Sequence, residues 1–399
     1  MVDGTCDKRF DGVRAEFERN FAERGEAGAA VCVFVDGEPV VDLHGGVADA
    51  DSGRMWTADT GVIVWSSTKG ATALCAHLLV DRGQLDLDAP VARYWPEFAA
   101  AGKENITIRI LLSHQAGLPA LHEPVPAGAF ADWGLMVERL AAETPFWEPG
   151  TRTGYHALTY GWLVGEVVRR ISSRTLGQFF ADEVAGPLGL EFWIGLPPDH
   201  AAPLARLIAA TMEPGATPSS FALAAMTDPT SIAAAIVNNS GGYLAEPDQP
   251  LYHAAEIPAA GGIATARGLA RLYRPLAAGG SAGGIRLIGP ETLAEASQVH
   301  AATAVDASLR APTRFGLGFA RSVGTVSPGD TVALGAAAFG HSGAGGSIGF
   351  ADPDAGLAFG YVMNRMGTGL GLNDRGQSLV DATYRALGYR TSTPGVWIR

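Results

Sequence analysis

Lysine is almost missing from this chain. Only Lys8, Lys69 and Lys103 occur among 399 residues, so chemistry that needs an amine has three places to be. Cysteine is equally sparse. Cys6, Cys32 and Cys75 are odd in number and fit neither a disulfide framework nor a C-x-x-C metal clamp. Cys75 falls inside an expected helix and reads as a small buried hydrophobe. The nine histidines contain no H-x-x-x-H pair, which leaves a zinc hydrolase without its ligands. No apolar run approaches the roughly 20 residues of a membrane span. Met1 to Asn20 carries charges every few positions and has no signal-peptide core. Basic runs are absent too. With 29 basic against 41 acidic residues, the net charge of −12 repels phosphate backbones and anionic lipid. The expectation is a cytoplasmic protein with no nucleic-acid and no membrane partner.

What is present is globular. A hydrophobic fraction of 47% over this length supplies a full core without staples. An amphipathic helix is predicted from Phe10 to Arg24. A hairpin follows, from Ala29 to Val35 and Glu38 to Leu43, because Asp36-Gly37 joins two apolar runs. The next helix is predicted from Ser66 to Arg82, closed by Gly83. Between Leu85 and Ala254 short helical patterns alternate with Pro/Gly loops, and only Thr159 to Ile171 has a clear helical period. The stretch from Pro203 to Pro258 resists assignment. Thr265 caps another helix through Tyr273. Strands return at Phe315 to Arg321, Ser347 to Ala351 and Leu357 to Met363, and a helix from Arg375 to Leu387 closes the chain. Strands at both ends bracket a helical middle. The expected division is therefore one α/β subdomain from residues 1–60 and 255–399, and a mostly helical subdomain from 61–254.

Three nucleophiles are conceivable. Ser66-Ser67-Thr68-Lys69 is an S-x-x-K at a helix start, and residues i and i+3 share a helix face. Serine is a weak nucleophile until a base takes its proton, and a lysine serves only if burial or a cation depresses its pKa. Neither other lysine has a serine three residues before it: Thr5 precedes Lys8 and Ala100 precedes Lys103. Gly345-Gly346-Ser347-Ile348-Gly349 is a G-x-S-x-G. That motif needs a strand–turn–helix setting and a later histidine, whereas Ser347 leads into strands and the last histidine is His341. A cysteine nucleophile lacks any basic or helix-start context.

Further segments follow Ser66 in order. They are Arg82-Gly83-Gln84-Leu85-Asp86, then Leu111-Leu112-Ser113-His114-Gln115-Ala116-Gly117-Leu118, and Glu148-Pro149-Gly150 with Tyr155-His156-Ala157. Ile257-Pro258-Ala259-Ala260-Gly261-Gly262 and His341-Ser342-Gly343-Ala344 complete the series. This succession resembles the serine β-lactamase and penicillin-binding-protein-like superfamily, in its class C-like branch and closest to family VIII carboxylesterases. It spans about Val31 to Met366. The resemblance implies an α+β fold of the β-lactamase/transpeptidase-like type, with an antiparallel sheet flanked by helices plus a mostly helical subdomain. It also implies an acyl-enzyme on Ser66, Lys69 as its base, and Tyr155 as the phenol of the Y-x-N motif. His341-Ser342-Gly343 would stand for the K-T-G strand at the substrate, and the N–H groups of Ser66 and Ala344 would form the oxyanion hole. His156 would contact substrate or face away; His114 would be structural; His44 and His77 would pack or lie on the surface, and Trp65 would be core. No metal or organic cofactor is implied, and the partner would be a small ester or acyl substrate.

Two departures bear on substrate. Ala157 replaces the Y-x-N asparagine, and His341 replaces the K-T-G lysine, which weakens a fixed positive charge for a substrate carboxylate. Both favour a carboxylesterase. An acyltransferase of secondary metabolism using the same intermediate, a β-lactamase or D-amino-acid peptidase, and a non-catalytic binding protein are the other readings.

Overall fold

The computed structural model describes residues 1–200, 202–212, 217–327, 330–391 and 395–399. Its centre is a ten-stranded antiparallel sheet assembled from both ends of the chain. In chain order the strands are β1 (Val2–Cys6), β2 (Gly28–Val35), β3 (Glu38–Asp49), β4 (Arg54–Met55), β5 (Ala301–Thr303), β6 (Thr313–Phe315), β7 (Ala320–Arg321), β8 (Phe339–Ser342), β9 (Ile348–Asp352) and β10 (Leu357–Met363). Spatially they run β1-β3-β2-β10-β9-β8-β7-β6-β5, with β4 on β3.

β2, β9 and β10 are buried along nearly their whole length instead of alternating. Both faces of the sheet are covered, so these strands read as continuous apolar runs. On one face, α1 (Asp11–Glu23) and α7 (Asp374–Ala386) close a core around Phe17, Val33 and Phe359. On the other, α6 (Ala266–Ala277) lies across β2, β9 and β10, and its residues join a larger core with α2 (Thr68–Asp81) and α3 (Tyr160–Ser172). Thr265 caps α6 through a bond from the Gly268 amide at 2.9 Å.

Three sequence expectations need adjustment. The strand expected over Phe315 to Arg321 is two short strands, β6 and β7, paired at Phe315 and Ala320. Gly318 between them sits at φ +87, which turns the chain back. The helix capped by Thr265 continues past Tyr273 to Ala277, with Pro275 in its last turn. The unassigned stretch 203–258 contains α4 (Ser220–Thr227), α5 (Ile232–Asn238) and a turn of helix at Pro250–Ala254; its residues 213–216 lie outside the described residues. A small sheet of Val62–Ile63, Phe192–Trp193 and Ile263–Ala264 joins the helical region to the segment before α6. Among the described residues no single helix is long and apolar enough to cross a membrane.

Candidate active site

Ser66 does not open the α-helix, as the sequence suggests, but lies in a short 3-10 turn, Trp65–Ser67, that leads into α2. Trp65 holds φ +49, a region that bulky residues avoid. The turn is pinned from the sheet side. Ser347 Oγ donates to Val64 O at 2.8 Å, and Ser67 Oγ donates to His341 O at 3.1 Å. A Cβ on Gly343 would stand 2.2 Å from Val64 O, so only glycine lets β8 and the turn approach this closely. Ser347 is buried and holds the turn that carries Ser66.

Lys69 is fully buried. Its Nζ stands 3.1 Å from Ser66 Oγ, 2.6 Å from Ala157 O and 2.9 Å from Ala259 O. Burial alone, with no carboxylate in reach, holds the amine well below the ordinary lysine range. The missing Y-x-N amide is thus replaced in one respect by main chain: the Ala157 carbonyl itself holds the lysine. The Ile257–Gly262 segment, to which sequence reasoning attached no role, supplies the second carbonyl. It also clamps α2, through Thr72 Oγ1 donating to Pro258 O at 2.6 Å and the Gly262 amide donating to Thr68 Oγ1 at 2.9 Å.

Tyr155 sits beside this pair, its ring centroid 4.7 Å from Lys69 Nζ. Burial pushes the phenol upward, a hydrogen bond with Ser66 opposes that, and the Asp306 carboxylate adds to it. The Tyr155 hydroxyl lies 3.4 Å from His341 Nε2. His341 Nδ1 lies 2.7 Å from Ser342 O. A carbonyl only accepts, so Nδ1 carries the proton and Nε2 is the acceptor facing Tyr155. Burial, then the nearby Lys69, pushes His341 down to about 3. The histidine at the lysine position is therefore neutral, not partly cationic as the sequence suggested.

His156 lies behind the site, not at the substrate. Its Nε2 accepts the Leu118 amide at 3.0 Å and its Nδ1 faces Gly154 O at 2.7 Å, so both ring nitrogens are occupied by main chain. His114 accepts the His156 amide through Nδ1 at 3.1 Å, and its ring packs against Tyr155, Tyr160 and Phe315. His77 is core, bonded to Leu317 O and stacked on Phe319. Trp65 is buried yet forms cavity wall, against Tyr243. Near Ala344, the flanking amides of Gly343 and Gly345 are bonded to Ser347 O and Gly369 O.

Ser66, Tyr155, His341, Ser342 and Ala344 all border one cavity of about 320 Å³. Its far wall is mostly apolar and comes from α4, α5 and residues 309–315. A larger cavity, about 480 Å³ between Phe34, Arg274 and Tyr389, contains none of these groups.

A family model described as Beta-lactamase matches residues 13–382. The chain is 38% identical to the Esterase/beta-lactamase LipL of Mycobacterium tuberculosis, over 94% of this chain and 85% of that protein. A crystal structure of a family VIII carboxylesterase superposes with a TM-score of 0.83 at 38% identity, covering 97% of this chain and all of that one. A penicillin-binding protein homologue from Caulobacter crescentus gives 0.84 at 39% identity, covering 97% and 100%. The order of segments from the Ser66 turn to β8, the sheet built from both termini and these matches agree, and the chain belongs to the Beta-lactamase family.

Proposed function

We propose that this protein is a serine carboxylesterase that cleaves small esters through an acyl-enzyme on Ser66. The observation that carries the reading is the environment of Lys69. A neutral amine has two N–H donors and one lone pair. The carbonyls of Ala157 and Ala259 take the two donors, which leaves the lone pair for the Ser66 hydroxyl at 3.1 Å. Burial without a counter-charge lowers the amine's pKa, which favours the neutral form that can accept that proton.

Ser66 Oγ then attacks the ester carbonyl. The amides of Ser66 and Ala344 receive the oxyanion, beside the start of α2. Tyr155, held protonated by burial, donates to the departing alkoxide and recovers a proton through Lys69. Water resolves the acyl-enzyme by the reverse path. The apolar wall suits an uncharged acyl chain or alcohol. The names of the similar proteins, an esterase/beta-lactamase and a family VIII carboxylesterase, point the same way. Intact-mass measurement after mixing with a short-chain aryl ester tests the reading: an acyl adduct on Ser66 supports it, and turnover without any adduct, even on rapid quenching, refutes it.

The neutral His341 offers no charge to a substrate carboxylate at the K-T-G position, and the cavity's cations are Arg310, Arg314 and Arg321 on its other walls. A β-lactam, which carries a carboxylate, is expected to react far more slowly than a neutral aryl ester. Because His341 is held near 3, its charge does not change between about pH 8.5 and 6.5, where a free imidazole would become about half protonated. Acidification over that range is therefore expected to leave β-lactam KM unimproved. A marked fall in KM would show that His341 charges and pairs with the carboxylate.

A further inference from the structure

Asp306 carries no role in the chemistry described so far and was not singled out by any sequence motif. It is fully buried, with no cation among the groups that stabilise it. A lone buried carboxylate is costly unless hydrogen bonds replace its water. Here five contacts do so. Oδ1 accepts the amides of Tyr155 at 3.0 Å, Ser308 at 2.9 Å and Leu309 at 2.9 Å. Oδ2 accepts the Tyr155 amide at 3.1 Å and the Thr313 hydroxyl at 3.1 Å.

One side chain therefore ties the Tyr155 backbone to a loop 151 residues away in sequence. The neighbouring bonds complete a clamp. The Ala307 amide donates to Thr153 O at 3.0 Å, and from the other side the Gly154 amide donates to His114 O at 3.0 Å. The His156 amide donates to His114 Nδ1. Amides 154, 155 and 156 are each held in turn, and only the middle one, that of the tyrosine, is held by a charged group. The same loop continues into Phe315, which stacks on the Tyr155 ring at 5.8 Å. The nearby negative charge also favours the protonated phenol.

We propose that Asp306 is a positioning residue for Tyr155: it fixes the tyrosine backbone so that the hydroxyl can hand its proton to the departing alcohol. This rests on the esterase reading and on Tyr155 as its acid. Asp306→Asn weakens the clamp at the tyrosine. The retained Oδ1 still serves the Ser308 and Leu309 amides and keeps its contact with the Tyr155 amide at 3.0 Å, but the new amide group replaces Oδ2, the charge is lost, and the contact at 3.1 Å becomes donor to donor. Thr313 can rotate its hydroxyl to accept.

The test uses the full chain and two esters of one acid, an aryl ester whose leaving group needs no proton and an alkyl ester whose leaving group does. In Asp306→Asn, kcat for the alkyl ester is expected to fall about ten-fold or more. KM, and kcat/KM for the aryl ester, stay within about two-fold. In a Tyr155→Phe background the extra loss disappears, because the acid it positions is gone. Equal losses for both esters, a loss that persists without the Tyr155 hydroxyl, or no loss would each overturn the proposal. If Asp306→Asn does not fold, Thr313→Val removes one bond from the same carboxylate; it is expected to show the same preference for damaging alkyl-ester turnover at smaller size, and its absence overturns the role. Should Tyr155→Phe leave alkyl-ester turnover intact, the acid assignment fails and this role with it. Loss in Tyr155→Phe with normal Asp306→Asn sinks the role of Asp306 alone.

Discussion

Ser66→Ala is expected to lower kcat/KM for a short-chain aryl ester by about 10⁴-fold or more, as removal of a nucleophile does in other serine hydrolases. Ser347→Ala, in the motif that superficially offers a rival nucleophile, is expected to stay within about ten-fold of the parent. The structure gives the reason for the difference. Ser66 Oγ is the only serine oxygen that Lys69 Nζ meets among the described residues, and it opens on the cavity. Ser347 Oγ is buried against Val64 O and Ser67 Oγ. Its loss removes a strut, costing about 1 kcal/mol of stability, because the buried Val64 carbonyl then keeps only the Ser67 amide as donor. Thermal melting separates the two effects: the Ser347 variant melts lower but works, whereas the Ser66 variant melts normally and does not. Equal loss of activity in both, with both folded, would overturn the assignment of Ser66.

The second large effect is acid sensitivity. Four histidines are buried in the neutral form. Burial pushes His77 down to about 4 and both His156 and His341 to about 3, and holds His114 well below 6.5. In the unfolded chain each titrates near 6.5. Below that pH the unfolded state binds protons that the folded state refuses, so stability is intact above about 6.5 and falls as pH drops towards the folded values. Each histidine contributes about 1.4 kcal/mol per pH unit once it is charged in the unfolded chain. Four together come to about 5.6 kcal/mol per unit, against a total stability of about 5–15 kcal/mol for a typical domain.

Acid unfolding is therefore expected near pH 5, ahead of most carboxylates. The buried carboxyls of Glu26, Asp306 and Asp352, all raised by burial, bind protons early in the folded state and soften the slope at the acid end. Urea titrations at several pH values measure the slope directly. His77→Gln can keep a donor to Leu317 O and is expected to flatten it by about one proton. A chain whose stability is level between about pH 7 and 5 would show that these rings are charged in the folded state.

Much of the site was legible because it is local. Ser66 and Lys69 are three residues apart, and that spacing puts them on one face whether the turn is 3-10 or α. The scarcity of lysine removed every competitor for the base. The hairpin turn at Asp36-Gly37, both at positive φ, and the cap at Thr265 depend on one or two neighbours. Other features were not local. Asp306 reaches Tyr155 across 151 positions, and a single aspartate in a loop has no periodicity or spacing to mark it. His156 follows Tyr155 directly, yet its ring is turned to Leu118 and Gly154, a choice made by backbone groups from another segment. Stretch 203–258 had no readable pattern because its helices cover a cavity on one side and solvent on the other; α4 has no buried residue at all.

By itself, the sequence determined which residues could carry the chemistry: one serine with one amine at helical spacing, no fourth lysine for β8, and strands at both ends that must meet in one sheet. The tertiary structure decided the protonation states on which that chemistry depends. The dry core around Lys69 lowers its pKa, and burial is the largest cause that keeps His341 uncharged; the two distant carbonyls hold the amine in place. Desolvation is a property of what packs around a group, and most of what packs around these comes from elsewhere in the chain.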